Sequence, residues 1–268
     1  MMTETLKRRL EQAKFLWLFL DYDGTLADFA PTPNHIVPDP ELIALLDQLS
    51  QHPHTHLAII SGRRLAHLEK LVPLPNIILA GTYGLELRMS DGRRIERVPY
   101  PSIRPALEHI RPMWEKLIGP LKGYYLEDKG WSLALHARDA EELEALRVLT
   151  QACEMAEATN LPETIKFLGG HKFLEVCPRL ADKGETVRYL LEQTNKKESL
   201  LVYLGDDDKD ETAFRVIQEY NGIAGLVSLQ EKNTQADFRL DSPRVARIWL
   251  AEILNLKIED AEQKRISR

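Results

Sequence analysis

Through the first part of the chain, short apolar runs alternate with stretches whose apolar positions recur at helical spacing. FLWLFL, at 15–20, is an uninterrupted apolar run of strand length and predicts a strand. PELIALLDQLS places Leu42, Leu45, Leu46 and Leu49 at the spacing of one helical face. HLAIIS from His56, RLAHLEKLV and NIILAG continue as strand, helix and strand. Such alternation predicts βαβ crossovers and a parallel sheet, and near-continuous apolar strands fit a sheet covered on both faces.

The pattern changes after Val98. PYPSIRP is rich in proline and reads as a boundary. Beyond it the spacing predicts a helix over 106–117, then a hairpin of YYLED and WSLALHAR about KG. A helix follows over 140–158, with Leu143 and Leu146 among its apolar positions, and TIKFLGGHKFLEV reads as two strands about a Gly-Gly turn. Helix, hairpin, helix, hairpin is an α+β pattern, so an inserted domain is expected at 101–178, between parallel α/β parts at 1–100 and 179–268. KGETVRYLLEQT, LLVYLG, DETAFRVIQEY, NGIAGLVSL and SPRVARIWLAEIL resume the parallel pattern, and the polar tail IEDAEQKRISR is expected to fray.

Composition narrows the classes. At 268 residues and 44% hydrophobic, the chain can bury one large core or two small ones. A net charge of −6 argues against a nucleic-acid footprint, while leaving room for a local basic pocket. FLWLFL is too short to span a bilayer, and it follows charged TLKRRLEQAK with no small-residue cleavage site. Cys153 and Cys177 make neither a disulfide framework nor a spaced metal motif. A cytoplasmic protein, bound to neither membrane nor nucleic acid, is expected.

Chemistry gathers where proposed parallel strands end, the edge at which open α/β sheets bind ligands. DYDGT carries Asp21 and Asp23, SGR carries Ser61, Gly62 and Arg63, DKG carries Lys183, and GDDDKD carries Asp206, Asp207 and Asp210. Taken singly, each has a structural alternative: an Asx turn at Asp21, an N-cap at Ser61, a solvated surface lysine at Lys183. Two strands that each run into carboxylates say more together. Brought to about 4 Å, an unpaired carboxylate pair costs about 4 kcal/mol at an effective dielectric near 20. A hard divalent cation relieves that repulsion, and oxygen-only ligands suit magnesium. His52, His54 and His56 in QHPHTH alternate like metal ligands but read better as a solvated turn; Trp17 and Trp131 read as packing.

In this order and context the four stretches resemble the haloacid-dehalogenase-like phosphatase superfamily. The resemblance implies a Rossmann-like parallel core with an α+β cap inserted between the second and third motifs. It implies that Asp21 attacks phosphorus and becomes an aspartyl phosphate, with Asp23 as general acid and base. Ser61 and Lys183 would hold the phosphoryl oxygens. Mg²⁺ would sit on Asp21, the Asp23 carbonyl and Asp206, with Asp207 and Asp210 as further metal partners.

A closer resemblance, over 15–250, is to trehalose-6-phosphate phosphatases. It rests on DYDGTLADFAPTP, AIISGR, LAGTYGLE, LEDKGWSLALHAR, GGHKFLEVCP, DKGETVRYLL and GDDDKDETAF. It implies a sugar-binding cap lined from Glu127, Lys129, His136, Arg138, Lys172 and Glu175. Lys172 and Glu175 lie three apart, so a regular strand would point them to opposite faces. Cap closure would hinge at PYPSIRP and near Asp182. Thr82-Tyr83 stands where the family shows Asn-His or Glu-His, and Cys177 where it favours arginine. These departures leave sucrose 6-phosphate, glucosylglycerol phosphate and glucosylglycerate phosphate as alternative substrates. A non-catalytic sugar-phosphate sensor on the same fold is the alternative from another class. A synthase partner, if any, is expected to bind non-covalently.

Overall fold

A computed structural model describes residues 4–29, 37–193 and 198–266. Pro31 and Pro33 of the DYDGTLADFAPTP stretch lie outside the described residues. In chain order the elements are α1 (Glu4–Gln12), β1 (Phe15–Leu20), α2 (Pro40–Gln51), β2 (Thr55–Ile60), α3 (Leu65–Leu71), β3 (Ile78–Gly81), β4 (Glu86–Arg88) and β5 (Arg94–Glu96). The insert carries α4 (Tyr100–Ile118), β6 (Tyr125–Asp128), β7 (Leu133–His136), α5 (Glu142–Glu157), β8 (Ile165–Gly170) and β9 (Phe173–Pro178). The chain closes with α6 (Lys183–Glu192), β10 (Ser199–Gly205), α7 (Glu211–Glu219), β11 (Ile223–Val227), β12 (Phe238–Leu240) and α8 (Pro243–Ile266). It divides into two compact units, Met1–Ile95 with Asp182–Arg268, and Glu96–Ala181.

The first unit is built on a sheet ordered β12-β11-β10-β1-β2-β3-β4-β5. β1 lies between β10 and β2, parallel to both, which explains why its residues are apolar on both faces. Leu16, Leu18 and Leu20 pack with α1, α2, α3 and α8, while Trp17 and Phe19 pack with α6 and α7. The strand's period of two thus feeds two cores at once. β4 runs antiparallel to its neighbour β3. β4, β5 and β12 are three residues each, too short to carry a period in the sequence. α8 continues through the polar tail to Ile266 instead of fraying.

The second unit is an antiparallel sheet, ordered β6-β7-β9-β8, with α4 and α5 on one face. Leu133, Leu135, Leu174 and Val176 face the helices, and the Trp114 indole donates to Ala152 O at 2.9 Å to tie α4 to α5. Alternation turns Tyr125, Glu127, His136, Phe173, Glu175 and Cys177 to the opposite face.

Three expectations for this unit are corrected. PYPSIRP is no hinge loop but the first turns of α4, with Pro101 where a helix has no N–H to satisfy. Leu143 and Leu146 are each 64% exposed; α5 buries Ala145, Val148, Ala152 and Ala156 instead, small side chains that let it lie close. Gly169 and Gly170 end β8, and the turn is His171-Lys172, with Lys172 at φ 54°.

Candidate active site

β1 and β10 run side by side, so their carboxyl ends deliver Asp21 and the Asp206 loop to the same edge. β2 on the other flank of β1 ends in Ser61. Gly24 is at φ 83°, and a Cβ there would collide with the Asp206 carboxylate, so only glycine lets the turn after Asp23 pass. The Thr25 hydroxyl lies 3.0 Å from Asp21 Oδ2 and 3.4 Å from Asp206 Oδ1, bridging the two acids.

Lys183 decides between the readings left open by the sequence. It is no solvated lysine: its side chain is 4% exposed, and Nζ donates to Asp21 Oδ1 at 2.7 Å and Asp210 Oδ1 at 2.6 Å. Burial opposes its charge, yet Asp21 and Asp210 hold its pKa well above the ordinary lysine value. Burial raises the Asp21 carboxyl against the pull of Lys183, with Asp207 and Asp23 adding to the rise. Asp206 is pushed up to about 10 by burial and by Asp21 and Asp210. Four carboxyl groups crowd one buried lysine, and burial with mutual repulsion favours the protonated form of Asp206.

The acids are not equivalent. Asp210 accepts at Oδ1 from Lys183 and from the Tyr203 hydroxyl (2.7 Å), and at Oδ2 from the N–H groups of Asp206 (3.1 Å) and Asp207 (3.2 Å). Its lone pairs are engaged in folding the loop. Asp207 accepts from the Lys209 N–H at 2.9 Å; despite partial desolvation, Lys183 and Lys209 draw its pKa down to about 2. Among the described residues, the carboxylates of Asp21, Asp206 and Asp210 come within 4.8 Å of one another. The oxygen-only donor set and the Gly24 cradle fit a hard cation, with Asp21 and Asp206 as its natural ligands.

Ser61 is buried and its Oγ accepts from the Arg63 N–H at 3.1 Å, leaving the hydroxyl its own proton to donate. Arg63 grips Asp23 with both arms of its fork, Nε to Oδ2 and Nη2 to Oδ1, each at 2.6 Å. Any use of Asp23 as a proton donor would require this pair to open. Lys232 donates to the Asp206 carbonyl at 3.0 Å.

In the second unit, Glu175 is fully buried, 3.1 Å from Lys129 Nζ, and accepts from the Ser132 hydroxyl. Burial works against the Lys129 charge, but Glu175 and Glu127 raise its pKa above the ordinary value. His136 Nε2 lies 3.0 Å from Glu127 Oε2, and its ring stacks on Tyr125 at 4.2 Å. Arg138 is exposed just past β7. Lys172 stands apart from the strand: from its turn it donates to Ala140 O at 2.6 Å and pairs with Glu142 at 3.3 Å, fastening the turn to the start of α5.

Residues 19–244 match the family described as trehalose-phosphatase. The chain belongs to that family. The trehalose-6-phosphate phosphatase of Escherichia coli (strain K12) is 32% identical over 98% of this chain and 96% of its own length. The trehalose-phosphate phosphatase of Mycobacterium ulcerans (strain Agy99) is 32% identical over 85% of this chain, which spans 59% of that relative's length. The fold is shared with the C-terminal domain of C. albicans trehalose-6-phosphate phosphatase, at TM-score 0.83 and 23% identity over 94% of this chain and 96% of that one. It is also shared with the C-terminal domain of the Candida albicans trehalose synthase regulatory protein, at TM-score 0.76 and 14% identity over 94% and 98%.

Several residues of the site carry no clear signal in the sequence. Thr25 stood inside a quoted motif, but its bridge between two acids needs the β1–β10 register to be seen. Tyr203 looks like any aromatic in an apolar strand, and Lys232 sits in an unpatterned polar loop; neither carries a signal. The histidines of QHPHTH form no metal group among the described residues. His54 packs edge-on to Phe15 and His56 stacks on Trp17. Trp131 is buried and donates to Val98 O, and Cys153 and Cys177 form no disulfide. Among the described residues, no helix is long and apolar enough to cross a membrane.

Proposed function

We propose that this protein hydrolyses trehalose 6-phosphate to trehalose and phosphate, with Mg²⁺ and through an aspartyl phosphate on Asp21. The observation that carries the reading is the buried Asp21–Lys183–Asp210 chain beside Asp206, on a chain of the trehalose-phosphatase family. Asp21 forms the bond to phosphorus as the bond to the sugar O6 breaks, and Asp23 gives that oxygen its proton. Asp23 then takes a proton from water, whose oxygen attacks phosphorus and frees Asp21. Ser61 and Lys183 hold the phosphoryl oxygens throughout, as donors aimed at charge that grows in the transition state. Asp21, Asp206 and the Asp23 carbonyl would hold Mg²⁺, which when bound screens the nucleophile from its dianionic target. Asp207 is open to a water-mediated contact, while Asp210 is better suited to organising the loop than to ligating.

A titration tests the cation seat. Asp206 at about 10 and Asp210 at about 7 hold protons in the folded chain that the unfolded chain releases near pH 4. Folded pKa values above the unfolded ones give stability that is present at low pH and lost as pH rises, here from about 4 toward about 10. A cation replaces those protons. Added Mg²⁺ is expected to raise the melting temperature, and by more at about pH 8 than at about pH 6. Equal shifts at both pH values would contradict the carboxylate seat.

The insert Glu96–Ala181 is proposed as the cap that selects the sugar. Lys129, Glu175, Glu127 and His136 share one polar sheet face, which suits directional hydrogen bonds to a polyhydroxylated ligand. Arg138 joins them as a rim contact, and Lys172 is left to its turn. Lys129→Met is expected to raise KM for trehalose 6-phosphate by about tenfold or more, while barely changing hydrolysis of an aryl phosphate that carries no sugar. Equal losses on both substrates would remove the cap from substrate choice. The regulatory alternative is disfavoured because Asp21, Asp23, Ser61, Lys183 and Asp206 are all retained.

A further inference from the structure

Three consecutive residues after β3 lie in the left-handed region: Thr82 at φ 50°, Tyr83 at φ 55° and Gly84 at φ 90°. Glycine adopts this freely, but a β-branched threonine and a bulky tyrosine do not, and strain of this kind persists only where the surroundings over-determine it. Here they do. The Thr82 N–H donates to Arg63 O at 2.7 Å and the Tyr83 N–H to Ser61 O at 2.9 Å, so the turn grips both ends of the Ser61–Arg63 corner. Thr82 Oγ1 donates to Glu86 Oε1 at 2.9 Å, holding the threonine in place.

The same turn reaches the helix that carries Lys183. Thr186 Oγ1 lies 2.8 Å from Tyr83 O and 2.8 Å from Asp182 O, so its proton is shared between the turn and the first residues of α6. The fit leaves no slack on either side. The Tyr83 ring fills the space a Cβ on Gly62 would need, and the Thr186 side chain fills the space a Cβ on Gly84 would need. α6 packs on the sheet through Val187, Leu190 and Leu191, an apolar contact without direction, and the Thr186 bond adds a directed link from that helix to the turn that grips the Ser61 corner.

We infer that Thr82-Tyr83-Gly84, locked by Thr186, is a positioning element that fixes Ser61 and Lys183 relative to each other and so sets the width of the phosphoryl-binding hole. The inference rests on the reading of Ser61 and Lys183 as the phosphoryl-holding pair. The hydrogen bonds described for the turn go to the Ser61–Arg63 corner, Glu86 and Thr186. Their effect passes through donors that must meet equatorial phosphoryl oxygens at hydrogen-bond distance in the transition state.

Gly84→Ala would put a Cβ into Thr186 and risks misfolding, so the informative variant is Thr186→Val, which keeps the branched shape and removes the hydroxyl. The probe is orthovanadate, an oxyanion without a sugar, measured as an inhibitor of phosphate release by the full chain with Mg²⁺. Thr186→Val is expected to weaken vanadate inhibition and to lower kcat, each by about tenfold, with KM little changed. Thr186→Ser is expected to restore both. Lys183→Met, run alongside, reports whether vanadate senses the hole at all. If Thr186→Val is folded and keeps wild-type kcat and vanadate inhibition while Lys183→Met loses both, the positioning role is overturned and the phosphoryl-hole reading stands. If Lys183→Met also keeps vanadate inhibition, the hole reading falls and takes the positioning role with it.

Discussion

Asp21→Asn is expected to lower phosphate release by a factor on the order of 10⁴ or more, with no loss of thermal stability. The activity loss follows from replacing a carboxylate nucleophile with an amide that cannot form the phosphoryl ester. The stability side runs against intuition. Asp21 is buried, and its carboxyl is raised by that burial and by Asp207 and Asp23, so its charge is disfavoured where it sits. An amide of the same shape removes that cost, accepts from Lys183 at its one oxygen while its NH2 donates to the Thr25 hydroxyl oxygen, and leaves Lys183 its partner Asp210. The melting temperature without cation is expected to hold or rise. The cation's own stabilising effect is expected to shrink, because one of its ligands has lost its charge. Phosphate release near the wild-type rate, checked at several enzyme concentrations, would remove Asp21 from the nucleophile role.

Lys183→Met is expected to be the most destabilising substitution in the site, at about 3–5 kcal/mol, as well as lowering kcat by about 10²–10³-fold. A methionine fills most of the volume, so packing is not the reason. Asp21 and Asp210, at 2.7 Å and 2.6 Å from the ammonium, would be left buried without their cation. Two further substitutions separate the charge effect from the catalytic one. Adding Asp210→Asn to Lys183→Met removes one of the orphaned charges; its amide oxygen can still accept from the loop N–H groups while its NH2 donates to the Tyr203 hydroxyl oxygen, so much of the stability should return. Activity should not return, because the donor to the phosphoryl oxygens is still missing. Denaturant unfolding of the single and double variants, beside their kcat values, checks both halves. A single variant as stable as the wild type would mean the buried ion pair is not what holds the loop.

How much of this was legible beforehand depends on whether a feature is local. β1, β2, β3, β10 and β11 were readable because strands covered on both faces are apolar throughout, and their helices because their buried positions recur at helical spacing. The edge strands β4, β5 and β12 were not, since three residues carry no period. PYPSIRP misled for a definite reason: proline signals a break, but here Pro99 caps α4, Pro101 falls in its first turn and Pro105 is carried inside the helix. α5 misled through Leu143 and Leu146, which are exposed, while Ala145, Val148, Ala152 and Ala156 are buried and Leu149 packs partly against the core of that unit.

In the site, the acid motifs and Lys183 could be named from order and context, but their ranking could not. Asp206 and Asp210 look alike in GDDDKD. Only the fold shows that Asp210 spends its oxygens on Lys183, Tyr203 and two backbone N–H groups, while Asp206 faces Asp21 across Gly24 and Thr25. A regular strand would have pointed Lys172 and Glu175 to opposite faces. The turn at Lys172 takes it off the strand altogether, leaving Glu175 to Lys129 and Ser132.

The most direct test of the central claim is phosphate release with Mg²⁺ across trehalose 6-phosphate, sucrose 6-phosphate, glucosylglycerol phosphate and glucose 6-phosphate, compared as kcat/KM. The account predicts a preference of at least about tenfold for trehalose 6-phosphate over every other member, lost on chelation of the metal. Equal rates across the panel, or release that survives chelation, would contradict it.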